Sequence, residues 1–99
     1  KVFNVSENGM LDAGKTFFDA TTLSVTRKGN PDGLAVDTKG NLFATGPGGV
    51  LVIAADGTHL GTILTGQKTA NCCFGEDGRS LFMTADMLLC RIQLTTSGW

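Results

Sequence analysis

Positive charge is nowhere clustered in this chain. Eight Lys and Arg lie scattered against nine Asp and Glu, the formal net charge is −1, and the electrostatic footprint of a nucleic-acid binder is missing. Long apolar runs are missing too. No stretch approaches the ~20 residues that a membrane-spanning helix needs, and the first residues do not read as a signal peptide, although a precursor could have lost one. Neither nucleic acid nor membrane is an expected partner. A soluble protein is expected, whether cytoplasmic, periplasmic or secreted. Cysteines are few and poorly spaced for bridging: Cys72, Cys73 and Cys90 are odd in number and two are adjacent, which argues against a disulfide framework and for burial as small hydrophobes. No Cys-x-x-Cys occurs and His59 is the sole histidine, so the chain carries no zinc motif of its own. Prolines number only two against fourteen glycines, which predicts many tight turns between short strands.

What is present is enough for one modest domain. The chain has 99 residues, 41% hydrophobic and 17% charged, too apolar for a disordered tail and too short for more than a single core. Residues 2–5 and 16–18 are short β-prone runs, expected to be two strands joined by a loop. The polar run 21–29 reads as a connection. Four strand candidates follow at Leu34–Val36, Leu42–Thr45, Val50–Ala54 and His59–Leu64, each separated by Gly with Asp, Asn or Pro, the residues of hairpin corners. A second unit starts at Asn71, with strands at 72–74, 80–84 and 88–94.

These two units repeat each other. Leu34-Ala35-Val36-Asp37 aligns with Cys72-Cys73-Phe74-Gly75, Leu42-Phe43-Ala44-Thr45 with Leu81-Phe82-Met83-Thr84, and Val50-Leu51-Val52-Ile53 with Leu89-Cys90-Arg91-Ile92. A period near 40 with four strands per unit marks a β-propeller blade, and strands apolar on both faces suit a blade sandwiched between neighbours. The expected fold is all-β, a partial β-propeller of about two and a half four-stranded antiparallel blades. Residues 1–28 supply outer strands of one blade plus a connection, 29–66 a full blade, and 67–99 three strands of the last. A closed propeller needs at least four blades, so the remaining blades are expected from a missing N-terminal segment or from other copies of the chain.

One carboxylate stands out at the head of the first full blade. In Asn30-Pro31-Asp32-Gly33, Pro31 fixes its own φ and biases Asn30 away from the helical region, so Asp32 is held in place and can serve as a metal ligand. The alternative is a turn cap, since Pro-Asp-Gly is an ordinary turn tripeptide. Asn71 holds nearly the equivalent place in the next blade, where it either lines the same channel mouth and binds substrate or makes structural hydrogen bonds. Asp37, Asp56 and Asp77 precede glycines at hairpin corners without calcium-loop spacing and read as turn formers. Gly46-Pro47-Gly48-Gly49 leads into a strand with no Lys-Ser/Thr, which excludes a phosphate loop, and no Gly-x-Ser-x-Gly elbow occurs to support a serine triad.

Pro31-Asp32-Gly33-Leu34-Ala35-Val36-Asp37, Gly40 to Val50, Asp56 to Ile63, and Ala70-Asn71-Cys72-Cys73-Phe74-Gly75 with Leu81-Phe82-Met83-Thr84-Ala85 together resemble the C-terminal third of the gluconolactonase/regucalcin (senescence marker protein) family. The resemblance runs through nearly the whole chain, in order and at matching spacings. It implies a six-bladed propeller with one divalent metal, calcium or zinc, at the mouth of the central channel, and hydrolysis of a sugar lactone. It further implies that the metal is held by a Glu near the N-terminus, an Asn in mid-chain and the Asp of the Pro-Asp-Gly turn. That last position is Asp32, which becomes both metal ligand and catalytic general base. The other two ligands match nothing in these residues, so the isolated chain is expected to be inactive. The competing expectation is a non-catalytic structural or self-assembling module.

Overall fold

The computed structural model describes residues 1–99 as two antiparallel sheets. The first runs up and down through β1 (Leu34–Val36), β2 (Leu42–Gly46), β3 (Gly49–Ile53) and β4 (His59–Leu64). The second runs through β5 (Thr69–Gly75), β6 (Ser80–Ala85) and β7 (Leu88–Gln93). Strand order equals chain order in both, because two- to five-residue corners allow only neighbouring strands to pair. At Pro47-Gly48 the corner pairs a preset φ with Gly48 at φ +95°, the combination a type II turn requires.

The strand alternation decides what each face meets. Ala35, Phe43, Val50, Val52 and Ile63 of the first sheet pack on Cys72, Phe74, Leu81, Met83, Cys90 and Leu94 of the second or just beyond it. Phe43 and Phe74 meet edge to face, with ring centroids 5.2 Å apart. Antiparallel sheets stacked on a shared apolar seam in this way are successive blades of a partial β-propeller. The opposite face of the first sheet buries Leu51 and Ile53, where Phe17 and Phe18 of the N-terminal segment line a small cavity with them. The far face of the second sheet is uncovered: Cys73, Leu89 and Arg91 alternate there in the open.

Residues 2–5 and 16–18 depart from expectation. They form no strand, only the single bridges Val2–Lys15 and Val5–Leu11. Asp12 explains the break. Its carboxylate accepts from the Asn4 N–H at 3.2 Å and the Gly14 N–H at 2.8 Å, backbone donors that a ladder would otherwise use, and from the Asn4 side-chain amide at 2.7 Å. The connection 21–29 also opens with one helical turn, α1 (Thr21–Ser24), started by the Asp19 carboxylate accepting from the Thr21 N–H at 2.9 Å. The second blade begins at Thr69, two residues before the expected Asn71.

The end of the chain is stitched back to the first sheet. Asp37 and Gly98 form a bridge, and the Thr38 N–H donates to the Ser97 carbonyl at 2.8 Å. Asp37 itself is completely buried. Oδ1 accepts from the N–H groups of Lys39 (2.9 Å) and Asn41 (2.8 Å), and Oδ2 from the Asn41 amide (2.9 Å) and the Thr96 hydroxyl (2.8 Å). The expected turn former is thus also the bolt that joins residues 59 positions apart.

Candidate active site

Both sheets present one end to a cavity of about 350 Å³, lined by Asn30, Pro31, Asp32, Lys68, Thr84 and Asp86 among others. Asp32 reaches it from the turn that precedes β1, Lys68 from the segment that precedes β5, and Asp86 from the corner between β6 and β7. The corner is reached by register: Leu34 pairs with Ala44, so the start of β1 lies beside the end of β2, and the repeat carries the end of β6 to the same side.

The backbone beside Asp32 is tied on several sides. Gly33 donates its N–H to the Ala70 carbonyl at 3.0 Å and to the Thr45 hydroxyl at 2.9 Å, and its carbonyl accepts from the Thr45 N–H at 2.8 Å. The Ala70 carbonyl is free to do this because β5 carries a bulge: Thr69 pairs with Ala85 and Asn71 with Thr84, leaving Ala70 as the extra residue. Asn71 then packs directly on Gly33. A Cβ at position 33 would collide with Asn71 Oδ1 and lie 2.9 Å from the Asn71 Cα, so glycine is required there for close approach and not for its φ.

The Asp32 side chain, by contrast, is exposed and neither carboxylate oxygen takes part in a hydrogen bond. Asp12, Asp19, Asp37, Asp56 and Asp77 all accept bonds from nearby backbone N–H groups. Hydrogen bonds hold each of the five carboxyls below the usual aspartate range: backbone N–H groups lead at Asp12, Asp56 and Asp77, the Thr21 hydroxyl leads at Asp19, and at Asp37 burial pushes up but is outweighed by the Asn41 side chain, the Thr96 hydroxyl and backbone N–H groups. The turn-cap alternative for Asp32 therefore lacks its defining bond. Asn71 is used in part: Oδ1 accepts from the Cys72 N–H at 2.8 Å, and the amide nitrogen makes no bond to the protein.

Cys72, one residue on, is no part of this chemistry. Burial, and then the neighbouring Cys73, push its thiol up to about 11, and the sulfur donates to the Phe43 carbonyl inside the core. Cys72 and Cys90 share one face of the second sheet but remain free thiols, as does the exposed Cys73. His59 opens β4 and lies half-buried against Phe18, 5.5 Å between ring centroids.

Sequence reasoning missed Lys68, Thr84 and Asp86. For Asp86 the repeat held a signal: it falls 39 positions after Pro47, and the structure places Pro47 beside Asn30 and Pro31 of the Asp32 turn. Asp86 is also one of two non-glycine residues at positive φ, +55°, a conformation that costs a residue with a Cβ. As to a metal, the carboxylates lining the cavity are those of Asp32 and Asp86, while Asn71 lies behind Gly33 and is not among the lining residues. No cluster of three or more His, Cys, Asp or Glu side chains exists in the chain. Two carboxylates are fewer oxygen donors than a divalent ion such as calcium takes, so these residues alone do not make a complete cation site.

Residues 1–86 match the family described as the SMP-30/Gluconolactonase/LRE-like region. A gluconolactonase of Zymomonas mobilis is 47% identical over 72 residues, a match that takes in 71% of this chain and 20% of that protein. The X-ray structure of a proposed gluconolactonase superimposes with a TM-score of 0.84 at 33% identity, over 97% of this chain and 31% of the other. A gluconolactonase from Xanthomonas campestris follows at TM-score 0.77 and 32% identity, over 93% and 29%. The chain thus spans less than a third of the length of these relatives.

Proposed function

The chain belongs to the SMP-30/gluconolactonase/LRE-like family, and from that premise we propose that it forms part of a sugar-lactone hydrolase to which it contributes Asp32 as metal ligand and general base. The observation that carries the reading is the contrast within the Asp32 turn: a tied backbone bearing an unengaged carboxylate at the edge of an open cavity.

Asp32 would hold a divalent cation, calcium or zinc, as one of several ligands, and when bound the cation supplies polarisation of the lactone carbonyl. The steps that fall to this chain belong to Asp32 and Asn71. The Asp32 carboxylate takes a proton from water as the water oxygen bonds to the carbonyl carbon. The ring C–O bond then breaks, and its oxygen leaves with the proton that Asp32 returns, giving an open-chain hydroxy acid. Asn71 is positioned by Gly33 and Cys72 so that its free amide N–H groups can donate to a sugar hydroxyl. The other blades, carried by a longer chain or by further copies, supply the remaining ligands. Alone, this chain offers too few donors and is inactive on this reading.

The test is Asp32→Ala in the full-length protein, with lactone opening followed at constant pH by base uptake and bound metal quantified. The expected result is a rate loss on the order of 10³-fold with metal content reduced and the melting curve unchanged. A near-normal rate would show the turn to be structural only. A second reading, assembly of copies into a ring without catalysis, draws on the uncovered apolar residues Leu60, Leu64 and Leu89. A discrete oligomer of the purified 99-residue chain in light scattering would favour it.

A further inference from the structure

We infer that Thr45 is a positioning residue for the proposed site: its hydroxyl sets where the Asp32 carboxylate sits relative to Asn71, across the seam between the two blades. The inference rests on the hydrolase reading above and adds to it a residue outside the metal and substrate shell. Thr45 occupies β2 and is only 1% exposed, with its side chain among the core-facing residues of the first sheet. Its hydroxyl oxygen accepts from the Gly33 N–H at 2.9 Å and lies 3.1 Å from the Gly33 carbonyl and 3.3 Å from the Ala70 carbonyl.

The inventory of a hydroxyl makes this arrangement specific. One proton must serve two carbonyl oxygens, and one lone pair holds the Gly33 N–H, so the group sits at a three-way junction of the turn, the first sheet and the second. Each partner is adjacent to a site residue in sequence: Gly33 follows Asp32, and Ala70 precedes Asn71. The bulge supplies a second observation. It is what turns the Ala70 carbonyl toward Gly33, so the irregularity in β5 and the buried hydroxyl in β2 converge on the same peptide. A threonine buried only for packing would need no such convergence, since its hydroxyl could have bonded within its own strand.

Valine at position 45 keeps the volume and removes the junction. The Gly33 N–H retains the Ala70 carbonyl and the Gly33 carbonyl retains the backbone N–H of residue 45, so the fold is expected to survive while the turn loses the hydroxyl that ties it to β2. Outer partners of ligands typically change metal affinity or activity by about 10–100-fold. In the full-length protein, Thr45→Val is therefore expected to lower kcat at least tenfold and to weaken calcium or zinc binding in titration by a similar factor, with KM for the lactone changed less. Thr45→Ser restores the hydroxyl and is expected within about threefold of the parent. Thr45→Ala replaces the valine variant if that protein does not fold.

Asp32→Asn is measured alongside. If it loses lactone opening and metal binding while Thr45→Val or Thr45→Ala keeps both, the positioning inference is overturned and the hydrolase reading stands. If Asp32→Asn itself retains both, the reading beneath the inference falls and takes the inference with it. Equal losses in Thr45→Val and Thr45→Ser would also overturn it, because the hydroxyl would then not be the cause.

Discussion

A three-residue strand separates two aspartates that the same chain treats in opposite ways. At the start of β1, Asp32 has its backbone neighbour tied by the Ala70 carbonyl and by both the hydroxyl and N–H of Thr45, and its own oxygens left free. At the end of β1, Asp37 is sealed from solvent, and both oxygens are fully occupied by Lys39, Asn41 and Thr96. The difference lies in where the binding capacity goes. Asp37 spends all its lone pairs on the protein and holds two distant segments together; Asp32 spends none and is available to something else. Burial and full satisfaction mark structure, whereas anchorage without satisfaction marks a candidate for chemistry.

The same isosteric change at both ends should separate these roles. Asp32→Asn in the full-length protein is expected to reduce lactone opening by about 10³-fold, or about 4 kcal/mol of barrier, with no change in the urea midpoint. Asp37→Asn should do the reverse. An asparagine there can still accept from the N–H groups of Lys39 and Asn41 on one side, but its NH2 obliges the Asn41 amide to flip and the Thr96 hydroxyl to turn, and all four charge-assisted bonds are lost. Loss of charged hydrogen bonds of this kind costs about 2–3 kcal/mol, read as a lower urea midpoint with kcat per folded molecule preserved. A stability loss at Asp32 with none at Asp37 would reverse the comparison.

Gly33→Ala probes the junction between the two ends. The added Cβ would meet the Asn71 side chain and the Asn71 Cα at 2.9 Å, so rotating the amide away cannot relieve the contact and the backbone of one blade must shift. Overpacking of this sort costs about 1–3 kcal/mol. Because the displaced pair is Asp32 and Asn71, the loss in kcat should exceed what the fall in folded fraction accounts for. Proportional losses would mean that the junction serves stability alone.

Much of this was legible in the sequence, for reasons that residues make plain. β1 and β4 fall where the alternation and the Gly-Asp-Pro corners place them, and the repeat near 40 residues pairs the two sheets correctly. What failed was non-local. Residues 2–5 have strand composition, yet the Asp12 carboxylate takes the donors a ladder needs, and propensity does not reveal a competitor eight positions away. Asp37 reads as a corner residue because Lys39 and Asn41 are near; Thr96 is not, and only folding brings it within 2.8 Å. Thr45 carries no motif at all. Its role depends on a bulge in another sheet, and a bulge leaves no mark that a two-residue period can show.

Acid should erode the two ends differently, and this is the smallest effect expected. Burial tends to raise the Asp37 carboxyl, but hydrogen bonds from the Asn41 side chain, the Thr96 hydroxyl and the N–H groups of Asn41 and Lys39 outweigh it and hold the group below its ordinary value of 3.8. A carboxyl depressed in the folded state contributes stability that is full above the unfolded value and is lost as pH falls through the folded one. The advantage of the parent over Asp37→Asn should therefore be constant from about pH 7 to about pH 5 and shrink progressively below 3.8. Asp12, Asp19, Asp56 and Asp77 are depressed as well, but they are present in both proteins and cancel in the difference. A gap that widens on acidification would mean that Asp37 is already protonated in the folded protein, and the four bonds drawn to a carboxylate would have to be redrawn with one of them donated.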